Sequence, residues 1–274
     1  MHRVGAEVPA EQGAKRQPLV SGNWKMHHDH VQAIRMVQDL GLRLSTLDLS
    51  GIEVSVHPPF TDLRSVQTVI EDRGIPVSLG AQHCNSHDEG AFTGEVSPPM
   101  LARLGVRYVI VGHSERRTLF HESDAEVAAT LRAVLRHGMK PIVCVGETEE
   151  ERAAGLTDKR LTEQTTAALG GMPAQQVSGL VVAYEPIWAI GTGNTAEPSD
   201  AQVACSLIRS VVGSLADDEA AGALRIQYGG SVRPDNTDEL MAQPDVDGLL
   251  VGGASLEATT FAAIVRAAGG EARG

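Results

Sequence analysis

The sequence predicts an α/β fold: eight parallel strands surrounded by helices, closed into a (β/α)8 barrel. Three observations carry this. Short β-rich apolar runs alternate with longer amphipathic stretches through 274 residues, a length typical of a one-domain barrel and also compatible with two smaller domains. The apolar runs are nearly continuous, as strands buried on both faces of a parallel sheet must be. Strand after strand then ends in glycine, histidine or a charged residue, and a parallel barrel gathers all eight such ends on one face. Spacing alone would also suit an open sheet; closure is the more economical arrangement of eight regular units.

The first strand, 18–23, runs into Gly22-Asn-Trp-Lys25, and an amphipathic stretch, 29–44, follows. Strand 52–57 ends in His57-Pro-Pro59 and strand 77–81 in Gly80-Ala-Gln-His83. Strand 108–112 turns at Gly112-His-Ser-Glu115, ahead of a helix over 124–136 with Ser123 as its N-cap. Strand 141–145 meets Gly146-Glu147, and 158–169 reads as a helix. Strand 180–183 reaches Tyr184-Glu185, and a helix over 199–212 opens at Ser199. Strands 225–228 and 248–251 end in Gly229-Gly-Ser231 and Gly252-Gly253, and the last helix, 255–268, opens at Ser255. With no linker or composition shift, 18–268 reads as one domain, flanked by a loose polar extension (1–17) and a frayed end (269–274). The extension lacks the apolar stretch of a signal peptide, and a start codon called too far upstream is an alternative origin for it.

The net charge of −12 and pI near 5.3 argue against a general nucleic-acid or anionic-membrane surface. They leave room for a small anionic substrate, because salt screens distant charge beyond roughly 10 Å. No apolar run approaches the ~18–20 residues that a membrane span needs. Cys84, Cys144 and Cys205 are scattered, with no metal-binding spacing, and fit free thiols in a reducing, cytoplasmic setting.

The stretch from Tyr184 to Gly193 (YEPIWAIGTG) is the most informative in the chain. It places a carboxylate, Glu185, at a strand end, followed by Pro186, Trp188 and two glycines: a catalytic base with a hinged lid beside it. The bland reading of Glu185 is a structural ion pair. Burial under a lid would raise its pKa and its basicity. Lys25 could neutralise an anion, or be an ordinary surface lysine. His113 lies where the fourth strand turns into a helix, whose N-terminus disfavours imidazolium while leaving a neutral ring able to donate. The glycine-rich turns at 229–231 and 252–255 offer free backbone N–H groups as a phosphate cradle.

Together these stretches resemble the triosephosphate isomerases, from Leu19 to Phe261. The resemblance rests on Gly22-Asn-Trp-Lys-Met26, Gly90-Ala-Phe-Thr-Gly-Glu-Val96, Val111-Gly-His-Ser-Glu-Arg-Arg117, Pro141-Ile-Val-Cys-Val-Gly-Glu147, the 184–193 stretch, Tyr228-Gly-Gly-Ser-Val232 and Val251-Gly-Gly-Ala-Ser255. It implies a TIM barrel that interconverts dihydroxyacetone phosphate and D-glyceraldehyde 3-phosphate without metal or organic cofactor. The pairing of a Glu base with a neutral His electrophile is a known pattern of that family. Here it implies Glu185 as base, with His113, Lys25 and Asn23 stabilising an enediolate. Asn23, Lys25, Gly191, Ser231, Gly252 and Gly253 would bind substrate, the last four gripping phosphate through backbone N–H groups. The lid would span 189–193, hinged at 186–188 and 194–196 and latched by Tyr228 and Ser231, with Ile190 in its moving part and Trp188 in its hinge. Glu115 would support Lys25, and Glu147 the lid tryptophan. The segment 83–95, with Thr93 near its tip, resembles a loop that inserts into a second subunit, implying a homodimer. His121 stands where the family usually has glycine, and Ser21 where alanine is common. An isomerase acting on a four-carbon sugar phosphate, a non-catalytic binder on the same scaffold and an unrelated phosphate-binding barrel are the competing readings.

Overall fold

A computed structural model describes residues 16–191 and 196–270. Eight strands, β1 (Leu19–Asn23), β2 (Glu53–His57), β3 (Ser78–Ala81), β4 (Tyr108–Val111), β5 (Lys140–Val145), β6 (Val181–Tyr184), β7 (Arg225–Tyr228) and β8 (Gly248–Val251), pair in parallel in chain order. The sheet closes where β1 meets β8, Leu19 beside Gly248 and Gly22 beside Val251. This is the barrel expected from the sequence. Of the expected extension, residues 1–15 lie outside the described residues; Arg16 donates to the Asp247 carboxylate (2.5 Å) and to the carbonyls of Gly222 and Pro244. Residues 271–274 of the expected frayed end, and 192–195 of the expected lid and hinge, also lie outside.

The helices follow from local chemistry. Helix α1 (His30–Leu44) starts at a capping box in which Asp29 accepts from the amides of Val31 and Gln32 while Gln32 returns a bond to the Asp29 amide. A short helix, α2 (Ser114–Leu119), follows β4, and α3 (Asp124–Arg136) opens with Ser123 in a capping box with Glu126, as its sequence predicts. Two expected caps fall elsewhere. In α4 (Pro198–Leu215), proline takes the first helical turn, so Glu197 caps the helix through Asp200 and Ser199 lies inside it. The last helix, α5 (Ala258–Gly269), begins three residues after Ser255, whose hydroxyl instead donates to the Gly252 carbonyl in a 3-10 turn. His121, between α2 and α3, has φ of 56°, a left-handed backbone that costs a non-glycine residue about 1 kcal/mol or more; both flanking helices form around it.

Side chains alternate between two cores. Leu19, Tyr108, Ile110, Ile142, Cys144, Val181, Ala183 and Leu250 fill the barrel interior. The opposite strand faces, with Val20, Val54, Val109 and Ile226 among them, pack against the helices. At the N-terminal mouth Glu53 accepts from the Tyr108 hydroxyl (2.8 Å) and from Arg225 (2.7 Å) and pairs with Arg107 (2.7 Å). Higher up, a hydrogen-bonded chain crosses the barrel. Gln227 Nε2 donates to Ser21 Oγ (2.9 Å), the Ser21 and Ser55 hydroxyls share a bond of 2.9 Å, and Ser55 Oγ lies 3.1 Å from His57 Nε2. His57 Nδ1 donates to the Ala81 carbonyl (3.1 Å), which leaves Nε2 as the acceptor. Burial pushes His57 down to about 4, so the ring is neutral near pH 7. The groups named from the sequence lie above this layer.

Candidate active site

Lys25 leaves β1 in a left-handed conformation, φ 53°. Such a backbone persists only when its surroundings over-determine it. Here the Asn23 side-chain oxygen accepts from the Lys25 amide (3.1 Å), and Gln82 Nε2 donates to the carbonyls of both Lys25 and His57 at 2.8 Å. The ammonium reaches Glu115 Oε1 at 2.5 Å. Sequence reasoning gave Gln82 a place at a strand end but no role; its fork only acquires meaning once β2 and β3 lie side by side.

Gly112 (φ 69°) turns the chain from β4 into α2 with His113 as N-cap. His113 Nδ1 accepts from the Glu115 amide (3.2 Å), so that nitrogen carries a lone pair and the ring proton sits on Nε2. Nε2 lies 2.9 Å from Glu185 Oε1. The other carboxylate oxygen accepts from the Ser114 amide at 2.8 Å, a partner that the motif around His113 contains but does not single out.

Glu185 follows β6 and is 2% exposed. Its main chain docks tightly on the end of β5: the Glu185 amide donates to the Val145 carbonyl (2.8 Å), and a Cβ on Gly146 would lie 1.8 Å from the Glu185 carbonyl oxygen. Only glycine fits there. Burial opposes the charge of Glu185, but His113, the Ser114 amide and Lys25 outweigh it and hold the carboxyl below its ordinary value. The sequence-based expectation of a raised pKa is therefore corrected for this arrangement: desolvation is present, but opposed by donors the sequence did not reveal. Burial likewise disfavours charge on His113, yet the Glu185 and Glu115 carboxylates draw it above its ordinary value. The helix end does not act alone. Charge on the ring depends on where Glu185 sits.

A cavity of about 370 Å³ opens over these groups. Its lining includes Asn23, Lys25, His113 and Glu185 and, from the expected lid and the glycine-rich turns, Ile190, Gly191, Ser231, Gly252 and Gly253. Lys25 bridges the two, since a Cβ on Gly252 would stand 3.5 Å from its Cε. Arg233 also lines the cavity and was not named from the sequence. Beside it, Glu147 is fully buried and accepts from the Tyr184 hydroxyl (3.0 Å) and Trp188 Nε1 (2.9 Å). Burial raises its carboxyl, which these donors and Arg152 offset only in part. The Arg152 guanidinium lies 4.0 Å from the Trp188 ring centre and bonds Asp200 (2.9 Å). Tyr228 is buried, and among the described residues its hydroxyl has no partner; a Cβ on Gly230 would come within 2.2 Å of it. Glu115 thus stands beside Lys25 and Glu147 beside Trp188. Thr93 lies away from this cavity, in an exposed run over 87–95. Among the described residues, no cluster of three or more His, Cys, Asp or Glu is placed to hold a metal, and no helix is long and apolar enough to cross a membrane.

The arrangement offers a carboxylate base, a ring N–H and an ammonium converging on one small volume, with glycine-rich backbone beside it. A family profile described as triosephosphate isomerase matches residues 18–268. Proteins named triosephosphate isomerase are similar along nearly the whole chain. That of Cutibacterium acnes is 54% identical over 252 residues, covering 91% of this chain and 97% of the relative. That of Chloroflexus aurantiacus is 54% identical over 250 residues (91% and 98%), and that of Corynebacterium glutamicum 51% identical over 247 residues (90% and 95%).

Proposed function

The chain belongs to the triosephosphate isomerase family and interconverts dihydroxyacetone phosphate and D-glyceraldehyde 3-phosphate; we propose that Glu185, His113, Lys25 and Asn23 carry that reaction. The observation behind this assignment is the single cavity lined by all four together with Gly191, Ser231, Gly252 and Gly253.

Glu185 removes a proton from the carbon beside the substrate carbonyl. Negative charge then develops on oxygen, where His113 Nε2–H and the Lys25 ammonium receive it, with Asn23 assisting. Donors fixed in advance around developing charge lower a barrier by several kcal/mol. The hydroxyl proton passes from the neighbouring oxygen to the charged one, and protonated Glu185 returns its proton to the adjacent carbon, so one base serves both directions. In the geometry described above, the two oxygens of Glu185 are engaged by His113 and Ser114. The carboxylate must leave at least one of them to reach substrate. Losing those donors in a dry site restores the basicity that they suppress. The same departure relieves His113 of its carboxylate neighbour, leaving burial and the helix N-terminus to keep the ring neutral.

The phosphate end supplies the driving force. Backbone N–H groups of Gly191, Ser231, Gly252 and Gly253 grip the dianion, and that remote binding energy supports lid closure. Ile190 and Gly191 belong to the lid and Trp188 to its hinge, with Tyr228 and Ser231 as latches. Glu147 holds Trp188 on its supporting side, and Glu115 holds Lys25. Closure keeps water from an enediolate that would otherwise expel phosphate.

We assign residues 18–268 to one catalytic domain acting in glycolysis and gluconeogenesis in the cytoplasm, without cofactor. Three buried free cysteines support a reducing compartment. We assign a homodimer through the 83–95 loop; Phe92, 42% exposed beside Thr93, supports a partner there. A coupled assay with D-glyceraldehyde 3-phosphate, comparing the unaltered protein with Glu185→Gln, tests the assignment: equal turnover by both refutes Glu185 as base.

A further inference from the structure

We propose that Arg233 is a substrate-binding residue that draws the substrate's phosphate dianion to the cavity. This rests on the isomerase reading above and concerns charge outside the four groups that carry the reaction.

The chemistry end of the cavity does not favour an incoming dianion. Lys25 is tied to Glu115 at 2.5 Å and Glu185 stands beside His113, so one ammonium there faces two carboxylates. The chain as a whole carries −12. Among the described residues lining the cavity, the only arginine or lysine besides Lys25 is Arg233, next along the wall from Gly230, Ser231 and Val232. It adjoins the phosphate turn rather than the base.

Arg233 is held by its surroundings. Its amide donates to Asn236 Oδ1 (2.8 Å), its carbonyl accepts from the Thr237 hydroxyl (2.8 Å), and Asn236 Nδ2 donates to the Ser231 carbonyl (3.0 Å). Pro234 narrows its backbone further to extended conformations. One asparagine side chain therefore fixes Arg233 relative to Ser231. The guanidinium Nε bonds Asp235 at 3.0 Å. That pair is solvent-exposed, and water screens it. Among the described residues the two amino groups of Arg233 have no partner other than Asp235, and such a planar fork can pair with phosphate oxygens. The backbone amides of the cradle carry only partial charge. A full charge at the rim acts earlier, during approach, where attraction depends on ionic strength.

Steady-state kinetics with D-glyceraldehyde 3-phosphate between about 20 and about 300 mM salt test this. Arg233→Gln is expected to lower kcat/KM about fivefold at the lowest salt, through KM rather than kcat, with the difference shrinking as salt rises. Arg233→Lys should recover most of the loss. Asp235→Asn, which releases the guanidinium, should shift kcat/KM the other way, about twofold. Calorimetric binding of inorganic phosphate should weaken in Arg233→Gln in parallel. That titration tests Arg233 even if the unaltered protein shows no isomerase turnover, an outcome that would overturn the reaction instead. Identical salt dependence and phosphate affinity in Arg233→Gln and the unaltered protein would overturn the proposal, as would a loss confined to kcat.

Discussion

His113 Nε2 lies 2.9 Å from Glu185 Oε1, so the electrophile and the base of the proposed reaction are hydrogen-bonded to each other. Each holds the other in a state unlike the one it needs: Glu185 is less basic than an ordinary carboxylate, and His113 more easily charged than an ordinary imidazole. On the proposed roles, substrate binding must separate the pair.

Replacing Glu185 by Gln keeps the shape and removes the proposed base. The expected result is a loss of roughly 10²–10⁴-fold in kcat, with binding of a phosphate-bearing inhibitor largely kept. The coupled assay and an inhibition constant measure the two parts separately.

His113 should show a neutral ring with its proton on Nε2 when an inhibitor holds Glu185 away. Nitrogen NMR of the labelled ring reads this directly. An imidazolium signal at neutral pH in that complex would contradict the scheme. His113→Gln should cost on the order of 10²-fold or more in kcat.

His57 is fully buried with its pKa lowered to about 4. Its unfolded-state value is near 6.5, so between the two the unfolded chain binds the extra proton. Stability from this group is complete above about pH 6.5 and falls as pH drops towards 4, by about 2 kcal/mol at pH 5. Urea unfolding at pH 7 and pH 5 should show His57→Leu losing less on acidification than the unaltered protein.

Gly146→Ala would drive a methyl group into the Glu185 carbonyl, 1.8 Å from the ideal Cβ position. Strands β5 and β6 would have to part at their ends. We expect a stability loss of about 3 kcal/mol and a fall in kcat, because the strain is applied to the main chain that carries Glu185, the proposed base. Thermal unfolding and the coupled assay check both.

A charge at the tip of the exposed loop tests assembly. Thr93→Arg should shift sedimentation towards monomer if this loop enters a partner, because an unpaired charge is costly to bury in an interface. No shift would remove the loop from the dimer assignment.

The parallel sheet was legible because near-continuous apolar runs, such as 108–111 and 180–183, suit strands with both faces covered, whereas its closure into a barrel rested on the economy of eight regular units. The cavity's groups were legible because so many strand ends carried chemistry, and Asn23, Lys25, His113 and Glu185 do share one cavity. What the sequence did not disclose were partners supplied by backbone or by distant elements. The Ser114 amide, which lowers Glu185, has no side-chain signature. The Gln82 fork on Lys25 depends on the closeness of β2 and β3. Arg233 reads as an ordinary loop arginine until the turn after β7 is placed beside the turn after β8. The caps expected at Ser199 and Ser255 fall elsewhere for a related reason: a proline in one case and a 3-10 turn in the other move the helix start by a few residues.

The cluster of Glu53, Tyr108, Arg107 and Arg225 closes the far mouth of the barrel, and apolar side chains pack the shaft above it. The reaction chamber is consequently a cul-de-sac. Among the described residues no way out leads along the barrel axis, so whatever enters must leave on the side from which it came. Each turnover has to vacate the chamber before the next begins, and accumulating product competes for that entrance as a matter of architecture.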